Sequence, residues 1–125
     1  MRIALVDDCP NDLSIMHQFF AEALDMGSVI TEFHNGEDFL QHWRADIFDL
    51  IVLDIYMEQL TGIEIARVIR ETDPNVCLVF ATTSNEFASE SYEVNACYYL
   101  HKPFLKQQVI AMLDRIGQQN LEVSR

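Results

Sequence analysis

The sequence predicts an α/β fold: a five-stranded parallel sheet in the order 2-1-3-4-5, with helices on both faces. Short β-rich runs alternate with amphipathic segments five times within 125 residues, a length that fits one domain. Two of these runs are continuously apolar, which is typical of strands that are covered on both faces. Right-handed crossovers leave few strand orders, and 2-1-3-4-5 is the expected order for a sheet of this size.

The strands are predicted from short runs that end at polar or turn-forming residues. In the second run, Val29, Thr31 and Phe33 alternate with the residues between them, which is the period of a β-strand. The third run is a continuous apolar segment that ends at Asp54. The predicted strands are Arg2–Val6, Val29–Phe33, Asp49–Leu53, Val76–Ala81 and Tyr98–Leu100.

The helices are predicted from apolar residues at helical spacing. Pro10 and the two residues after it open the first helix, whose apolar face is formed by Leu13, Met16, Phe20, Ala23 and Leu24. The middle helices are predicted at Glu37–Trp43, from Ile63 to Arg70, and at Glu86–Val94. The last helix is predicted from Phe104 to about Gln118, with an inward face formed by Leu105, Val109, Met112, Leu113 and Ile116.

The composition narrows the possible functions. The formal net charge of −12 argues against a domain that binds nucleic acid by itself, because phosphate contacts need a basic surface. The same charge argues against docking on an anionic membrane, and no stretch approaches the roughly 18 apolar residues of a membrane span. The three cysteines, Cys9, Cys77 and Cys97, lack zinc-ligand spacing, so we expect reduced thiols in a cytoplasmic protein.

Polar residues follow the predicted strands at the points where the strands end. Asp7 and Asp8 follow the first strand, and the third, fourth and fifth strands lead into Asp54, Thr82 and Lys102. Ligands of such sheets bind beyond the carboxyl ends of the strands, near the switch between strands 1 and 3, so the three carboxylates should converge there. Because the carboxylates repel one another, we expect Mg²⁺ between them. Acids, Mg²⁺, a lysine and a threonine hydroxyl together predict a site that handles phosphoryl groups.

The residues at the strand ends also carry a family resemblance over nearly the whole chain. The matching motifs are the apolar run into Asp7-Asp8, Leu53-Asp54-Ile55 followed by Met57, Gly62, Phe80-Ala81-Thr82 and Lys102-Pro103-Phe104. In this order they resemble the receiver domain of bacterial two-component response regulators, which has a flavodoxin-like fold. The segment Tyr92–Ala96 before Tyr98-Tyr99-Leu100 further resembles the receivers of LytTR-type regulators.

The resemblance implies that Asp54 takes a phosphoryl group from the phosphohistidine of a sensor histidine kinase. Asp7, Asp8 and Asp54 would hold Mg²⁺ directly or through water, together with the backbone carbonyl of Tyr56. The domain performs this transfer on itself, so the resemblance implies a phosphoacceptor with slow autodephosphorylation at most, and not an enzyme with turnover.

The resemblance also implies a switch. Lys102 would pair with the phosphoryl group, Thr82 would move to hydrogen-bond it, and Tyr99 would turn inward as the aromatic switch residue. These movements would change the surface formed by helix 4, strand 5 and helix 5, which is the usual output and homodimer surface of the family. The Lys102-Pro103 peptide bond is expected to be cis.

Domain organisation follows from the same resemblance. Residues 1–119 would form the receiver domain, and residues 120–125 a C-terminal tail or the start of a linker to an output module. Such a module would control transcription and would supply the DNA binding that this acidic domain cannot provide. No membrane partner is expected.

Three other readings stay open beside the phosphoacceptor. A small Mg²⁺-dependent phosphatase usually has a second Asp two residues after its nucleophile, where this chain has Tyr56. A flavodoxin-like cofactor binder would need a Ser-, Thr- or Gly-rich phosphate loop after strand 1, where Asp7-Asp8-Cys9-Pro10 would repel a phosphate. A pseudo-receiver that only binds partners would not need the complete set of acids, Thr and Lys.

Three residues depart from the family pattern. Glu58 replaces a common proline, which predicts a less rigid and more acidic loop after strand 3. Thr83 replaces a small residue and would narrow access for the phosphoryl group. Tyr56 is large for its position, and we expect it to shield the acyl phosphate and slow its hydrolysis.

Overall fold

The computed structural model of the chain describes residues 1–83 and 86–123. The strands are β1 (Arg2–Val6), β2 (Val29–Phe33), β3 (Leu50–Leu53), β4 (Cys77–Thr82) and β5 (Tyr98–His101). The helices are α1 (Pro10–Ala23), α2 (Gly36–His42), α3 (Gly62–Thr72), α4 (Ala88–Glu93) and α5 (Lys106–Val123). All neighbouring strands pair in parallel in the order β2-β1-β3-β4-β5, which confirms the predicted topology.

Two hydrophobic layers cover the sheet, one on each face. Leu13 and Phe20 of α1 pack with Met112 of α5 on one face. Phe39 of α2 and Ile69 of α3 pack on the other. Every residue of β3 and β4 is buried, as their apolar runs predicted. Burying one large apolar side chain stabilises a fold by about 1.5–3 kcal/mol, so these layers hold the strand ends in fixed positions.

The ends of most helices differ by one or more residues from the sequence prediction. Leu105 was expected to face the core, but it is 68% exposed because α5 begins one residue after it. The Leu105 N–H donates to the side-chain oxygen of Gln108 at 2.7 Å, so Leu105 occupies the helix boundary and its side chain points to solvent. In addition, α4 begins at Ala88 instead of Glu86, and α5 continues to Val123 instead of ending near Gln118.

No helix within the described part of the chain is both long and apolar enough to cross a membrane.

Candidate functional site

The carboxyl end of the sheet holds four buried polar residues of the predicted site, Asp7, Asp54, Thr82 and Lys102. β1 and β3 pair in register up to Val6 and Leu53, so the residues that follow, Asp7 and Asp54, lie side by side. The Asp54 N–H donates to the Val6 carbonyl oxygen at 3.0 Å, and the Lys102 N–H donates to the Thr82 carbonyl oxygen at 2.7 Å. Backbone pairing between strands therefore brings these side chains together, as predicted.

Three carboxylates converge at this edge of the sheet. One oxygen from each of Asp7, Asp8 and Asp54 lies within 4.8 Å of the other two. Backbone N–H groups hold two of these carboxylates in place. Asp7 Oδ1 accepts the Cys9 N–H at 2.9 Å, and Asp8 Oδ2 accepts the Glu58 N–H at 3.1 Å. Asp8 is exposed, whereas Asp7 and Asp54 are buried. An all-oxygen cluster of this size, open on one side to water, fits Mg²⁺ with one or two direct carboxylates.

Burial and repulsion act together on the central carboxylate. Burial, followed by the negative charge of Asp7, raises the pKa of Asp54 to about 7. The positive charge of Lys102 and the N–H of Tyr56 act in the opposite direction, and the charge of Asp8 adds to the increase. A bound divalent cation would favour the ionised form of Asp54, which supports the fit of the site to a metal ion.

The Lys102 ammonium group joins the carboxylates. Its Nζ lies 2.6 Å from Asp7 Oδ2, 3.0 Å from Asp12 Oδ2 and 3.8 Å from Asp54 Oδ2. Burial alone would lower the pKa of Lys102, but the hydrogen bonds to Asp7 and Asp12 and the charge of Asp54 outweigh it and raise the pKa. Lys102 therefore stays charged beside the acids.

Sequence reasoning missed the contribution of Asp12. It was used only to mark the beginning of α1, yet its half-exposed carboxylate is the second hydrogen-bond acceptor of Lys102. Its place in the first turn of a helix that begins just after the β1 acids is a signal that could have pointed to it, because that turn lies over the strand end.

The Thr82 hydroxyl is buried at the end of β4, and among the described residues its Oγ1 finds no hydrogen-bond partner. An unpaired buried hydroxyl costs about 1–3 kcal/mol, so such groups are rare unless something else satisfies them. An incoming anionic oxygen would supply the missing acceptor.

Two tyrosines lie beside the site. The Tyr56 side chain is 45% exposed; its hydroxyl donates to the Glu86 carboxylate, and its ring meets Phe87 edge-on with the centroids 5.4 Å apart. Tyr99 is half-buried in β5, with its ring centroid 6.4 Å from that of Phe80. Burial raises the pKa of the Tyr99 hydroxyl, and the nearby Tyr56 and Glu86 add to the increase. The link between Tyr56 and Glu86 connects the loop after β3 to the segment before α4 and was not foreseen.

The start of α3 packs tightly against the residues that follow β3. Thr61 and Glu64 form a capping box, which fixes the first turn of the helix. A Cβ atom at Gly62 would lie 2.2 Å from the Asp54 carbonyl oxygen, so only glycine fits at this position. The Lys102-Pro103 peptide bond is cis, as predicted.

The family model described as "Response regulator receiver domain" matches residues 3–114. The chain belongs to this family. The predicted resemblance is therefore confirmed, and LytR and LytT proteins among its relatives agree with the predicted LytTR type.

Relatives of this receiver domain align with nearly all of this chain but with only about half of their own length. The "Sensory transduction protein LytR" of Staphylococcus epidermidis is 32% identical over 119 residues, which are 93% of this chain and 46% of LytR. The "Transcriptional regulatory protein CiaR" of Streptococcus pneumoniae is 32% identical, with 96% of this chain and 54% of CiaR covered. The chain thus spans about half the length of the curated relatives that it matches.

A solved structure supports the fold of the receiver domain. The response regulator TrrA of Thermotoga maritima, solved "in complex with Mg(2+)-BeF", superposes with a TM-score of 0.74 at 30% identity. The superposition covers 89% of this chain and 97% of that one.

Proposed function

We propose that this receiver domain is a Mg²⁺-dependent phosphoacceptor in which Asp54 takes a phosphoryl group from the phosphohistidine of a sensor histidine kinase. One observation carries the proposal: three carboxylate oxygens lie within 4.8 Å of one another, and the Lys102 Nζ lies 3.8 Å from Asp54. The complex of the Thermotoga maritima relative with Mg(2+)-BeF supports the same chemistry.

The transfer uses the Asp54 carboxylate as its nucleophile. An Asp54 oxygen attacks phosphorus, a P–O bond forms, and the P–N bond to the kinase histidine breaks with its electron pair left on the imidazole. Asp7, Asp8, Asp54 and the backbone carbonyl of Tyr56 would hold Mg²⁺. Mg²⁺, when bound there, supplies positive charge that neutralises the phosphoryl oxygens. Because the domain acts on itself, it is a phosphoacceptor and not an enzyme with turnover.

Lys102 and Thr82 receive the new phosphoryl group. Lys102 Nζ exchanges part of its contact with Asp7 and Asp12 for a phosphoryl oxygen. The Thr82 hydroxyl, which has no partner among the described residues, donates to another phosphoryl oxygen. The Lys102 N–H already binds the Thr82 carbonyl oxygen, so movement of one strand end is transmitted to the other. Tyr99 then turns inward, and the surface of α4, β5 and α5 changes.

The altered surface is the proposed output of the domain. It supports a homodimer and controls a transcriptional output module in a cytoplasmic regulator, with residues 1–119 as the receiver and 120–125 as a tail or the start of a linker. The support comes from relatives about twice as long as this chain, one of them named as a transcriptional regulatory protein. DNA binding belongs to that module.

Tyr56 controls the lifetime of the phosphorylated state. Its ring is held beside the site by Glu86 and Phe87, next to the acceptor carboxylate that its own N–H contacts. We expect Tyr56→Asn to shorten the half-life of the acyl phosphate severalfold, measured by loss of the intact-mass adduct after removal of the phosphodonor. An unchanged half-life would remove Tyr56 from the proposal.

The test is incubation with acetyl phosphate and Mg²⁺, followed by intact mass. We expect one phosphoryl adduct on the wild type and none on Asp54→Asn. Asp49→Asn is the matched control, because Asp49 is an exposed aspartate at the other end of β3 and should keep the adduct. Chelation of Mg²⁺ should abolish the adduct in both proteins that form it.

Two outcomes would favour the alternatives. If the wild type forms no adduct with either acetyl phosphate or a phosphorylated kinase, the domain is a pseudo-receiver that only binds partners. Continuous release of phosphate from a free phosphate ester would instead make it a phosphatase.

A further inference from the structure

Two of the three cysteines meet at the amino end of the sheet, opposite the carboxylate cluster. Cys77 is the first residue of β4, and Cys97 directly precedes β5. The Cys97 N–H donates to the carbonyl oxygen of Leu78 at 2.8 Å, so the two backbones are already paired at this point. Both thiols are free; Cys77 is buried and Cys97 is exposed.

We propose that Cys77 and Cys97 form an oxidisable dithiol site, in which a hydroperoxide converts the two thiols into an intrachain disulfide. Cys97 is the attacking residue because it is exposed to solvent, and the buried Cys77 is the resolving residue. The register pairs Val79 with Tyr98, so Cys97 lies beside Leu78, one residue after Cys77. A strand spacing of about 4.8 Å and an offset of one residue, about 3.3 Å, place the two Cα atoms about 6 Å apart, within the ~4.4–6.8 Å that a disulfide spans. This inference does not rest on the proposed phosphoacceptor function.

The surroundings of Cys97 favour its thiolate form. A hydrogen bond from the Cys77 thiol, together with a backbone hydrogen bond from Leu78 and the charge of Arg70, lowers the pKa of Cys97 to about 7 against the effect of burial. The same thiol–thiol contact and burial raise the pKa of Cys77. Attack on a peroxide needs the thiolate, so these surroundings favour Cys97 over Cys77 as the attacking residue.

Arg70 is fixed beside the thiols by the backbone of the neighbouring loops. Its Nε donates to the Val94 carbonyl oxygen at 2.6 Å, and its two terminal nitrogens donate to the carbonyl oxygens of Asp73 and Asn95 at 3.1 Å each. A guanidinium group held in this way supplies a permanent positive charge near the reactive sulfur.

The reaction balances with hydrogen peroxide as the oxidant. The Cys97 thiolate attacks one peroxide oxygen, the O–O bond breaks, and Cys97 sulfenic acid and hydroxide form. The Cys77 sulfur then attacks the Cys97 sulfur, the S–S bond forms as the S–O bond breaks, and hydroxide leaves. The protons of the two thiols end on the two hydroxides, so one peroxide and two thiols give one disulfide and two waters.

A disulfide at this position would tie the start of β4 to the loop between α4 and β5. That loop leads into β5, which holds Tyr99 and ends one residue before Lys102. Oxidation would thus fix the amino end of β5, and the carboxyl end of the same strand lies beside the carboxylate cluster.

The experiment uses the full chain in a Cys9→Ser background, so that only the two cysteines of the pair remain. The protein is treated with excess hydrogen peroxide, and its remaining thiols are blocked with N-ethylmaleimide under denaturing conditions. Its intact mass is then measured without reductant. We expect a monomer that has lost two hydrogen atoms and takes up no maleimide. Dithiothreitol should restore both maleimide sites, and peptide mapping should join the Cys77 and Cys97 peptides.

Single variants separate the two roles. In Cys97→Ser, an exposed and therefore tolerant position, the remaining Cys77 thiol should be lost at least ~10-fold more slowly than the thiols of the parent. In Cys77→Ser, Cys97 should still react and its sulfenic acid should be trapped by dimedone. Three results would overturn the proposal: a parent that only gains oxygen atoms, a parent that forms only intermolecular dimers, or a Cys97→Ser variant that is oxidised as fast as the parent.

Discussion

An ion pair joins strand ends at each end of the sheet, and the two pairs differ in burial. At the amino end, Arg2 of β1 lies 3.2 Å from Asp49, and the two side chains are 53% and 43% exposed. At the carboxyl end, Lys102 lies 2.6 Å from Asp7, and the side chains are 9% and 0% exposed. The same type of contact therefore has water around it at one end and protein around it at the other.

The difference in burial indicates that stability alone does not explain the ion pair at the carboxyl end. An exposed pair costs little to form and contributes little, with typical values of about 0–1 kcal/mol. A buried pair loses hydration that its attraction repays only with good geometry, and an apolar replacement of both partners is often neutral or stabilising. The proposed phosphoryl transfer would explain why the carboxyl end keeps its buried charges and a Thr82 hydroxyl that has no partner among the described residues.

The largest expected effect comes from removing the buried ammonium group. Lys102→Met should lower the free energy of unfolding at pH 7 by about 2–4 kcal/mol, because it leaves Asp7 buried beside Asp54 without its counter-charge. Urea unfolding followed by the fluorescence of Trp43, the single buried tryptophan, measures this change.

Lys106→Met is the matched control for that variant. Lys106 pairs with Glu22 at 3.3 Å, and both side chains are about half exposed. We expect little change in the unfolding midpoint. Equal losses of stability in both lysine variants would show that the buried position of Lys102 has no special energetic weight.

The second prediction concerns the central carboxylate. The pKa of Asp54 rises from 3.8 to about 7 on folding, so its contribution to stability is complete below pH ~4 and is lost as the pH rises through about 7. Asp54→Asn removes this loss. Without Mg²⁺ at pH 8, we expect the variant to be about 1–2 kcal/mol more stable than the wild type, because water on the open side of the site screens part of the charge.

Unfolding curves at pH 8 and pH 5 test the sign of this effect. The advantage of Asp54→Asn should shrink at the lower pH, where Asp54 is mostly protonated in the native state. Mg²⁺ should also reduce it at pH 8 by stabilising the wild type alone. A variant that is less stable than the wild type at pH 8 would contradict the raised pKa of Asp54.

The carboxyl end of the sheet could be predicted from the sequence better than the amino end. Apolar runs define where strands end, and a parallel sheet places all carboxyl ends at one edge, so Asp7, Asp54 and Lys102 could be brought together without a structure. The contact between the Cys77 and Cys97 thiols could not be predicted, because it depends on how β4 and β5 lie against each other at the amino edge, where no cluster of unusual residues marks it.

Contacts that depend on helix placement were also out of reach. The hydrogen bond of Asp12 to Lys102 requires the rotation of α1 about its axis, and the bond of Tyr56 to Glu86 requires the path of the loop before α4. The exposure of Leu105 follows from a helix boundary one residue away from the predicted one. Periodicity fixes which residues share a face but leaves these offsets undetermined.

The third prediction tests the role of Asp12, the partly exposed carboxylate that accepts a hydrogen bond from Lys102. Asp12→Asn weakens the hold of the resting site on Lys102, which must move to reach a phosphoryl oxygen on Asp54. A partly exposed pair contributes about 0.5–1 kcal/mol, so phosphorylation by acetyl phosphate should be roughly 2- to 5-fold faster. Intact mass against time gives the rate.

Asp46→Asn is the control for the change in net charge. Asp46 is exposed in the loop before β3 and has a φ of 70°, which asparagine tolerates well. Its rate should equal that of the wild type. A slower reaction of Asp12→Asn would mean that Asp12 helps to position Lys102 for the transfer and does not compete for it.

The smallest effect is expected at the exposed amino-end pair. Arg2→Met removes the guanidinium contact with Asp49 but keeps the hydrogen bond from the Arg2 backbone N–H to the Asp49 carboxylate, which is 2.7 Å long. The free energy of unfolding should therefore fall by no more than about 0.5 kcal/mol. Salt at ~1 M should remove even that difference in the free energy of unfolding, because the Debye screening length at this concentration is about 3 Å. If Arg2→Met instead matched Lys102→Met and resisted salt, exposure would not be what separates the two ends of the sheet, and the functional reading of the buried charges would lose its main physical support.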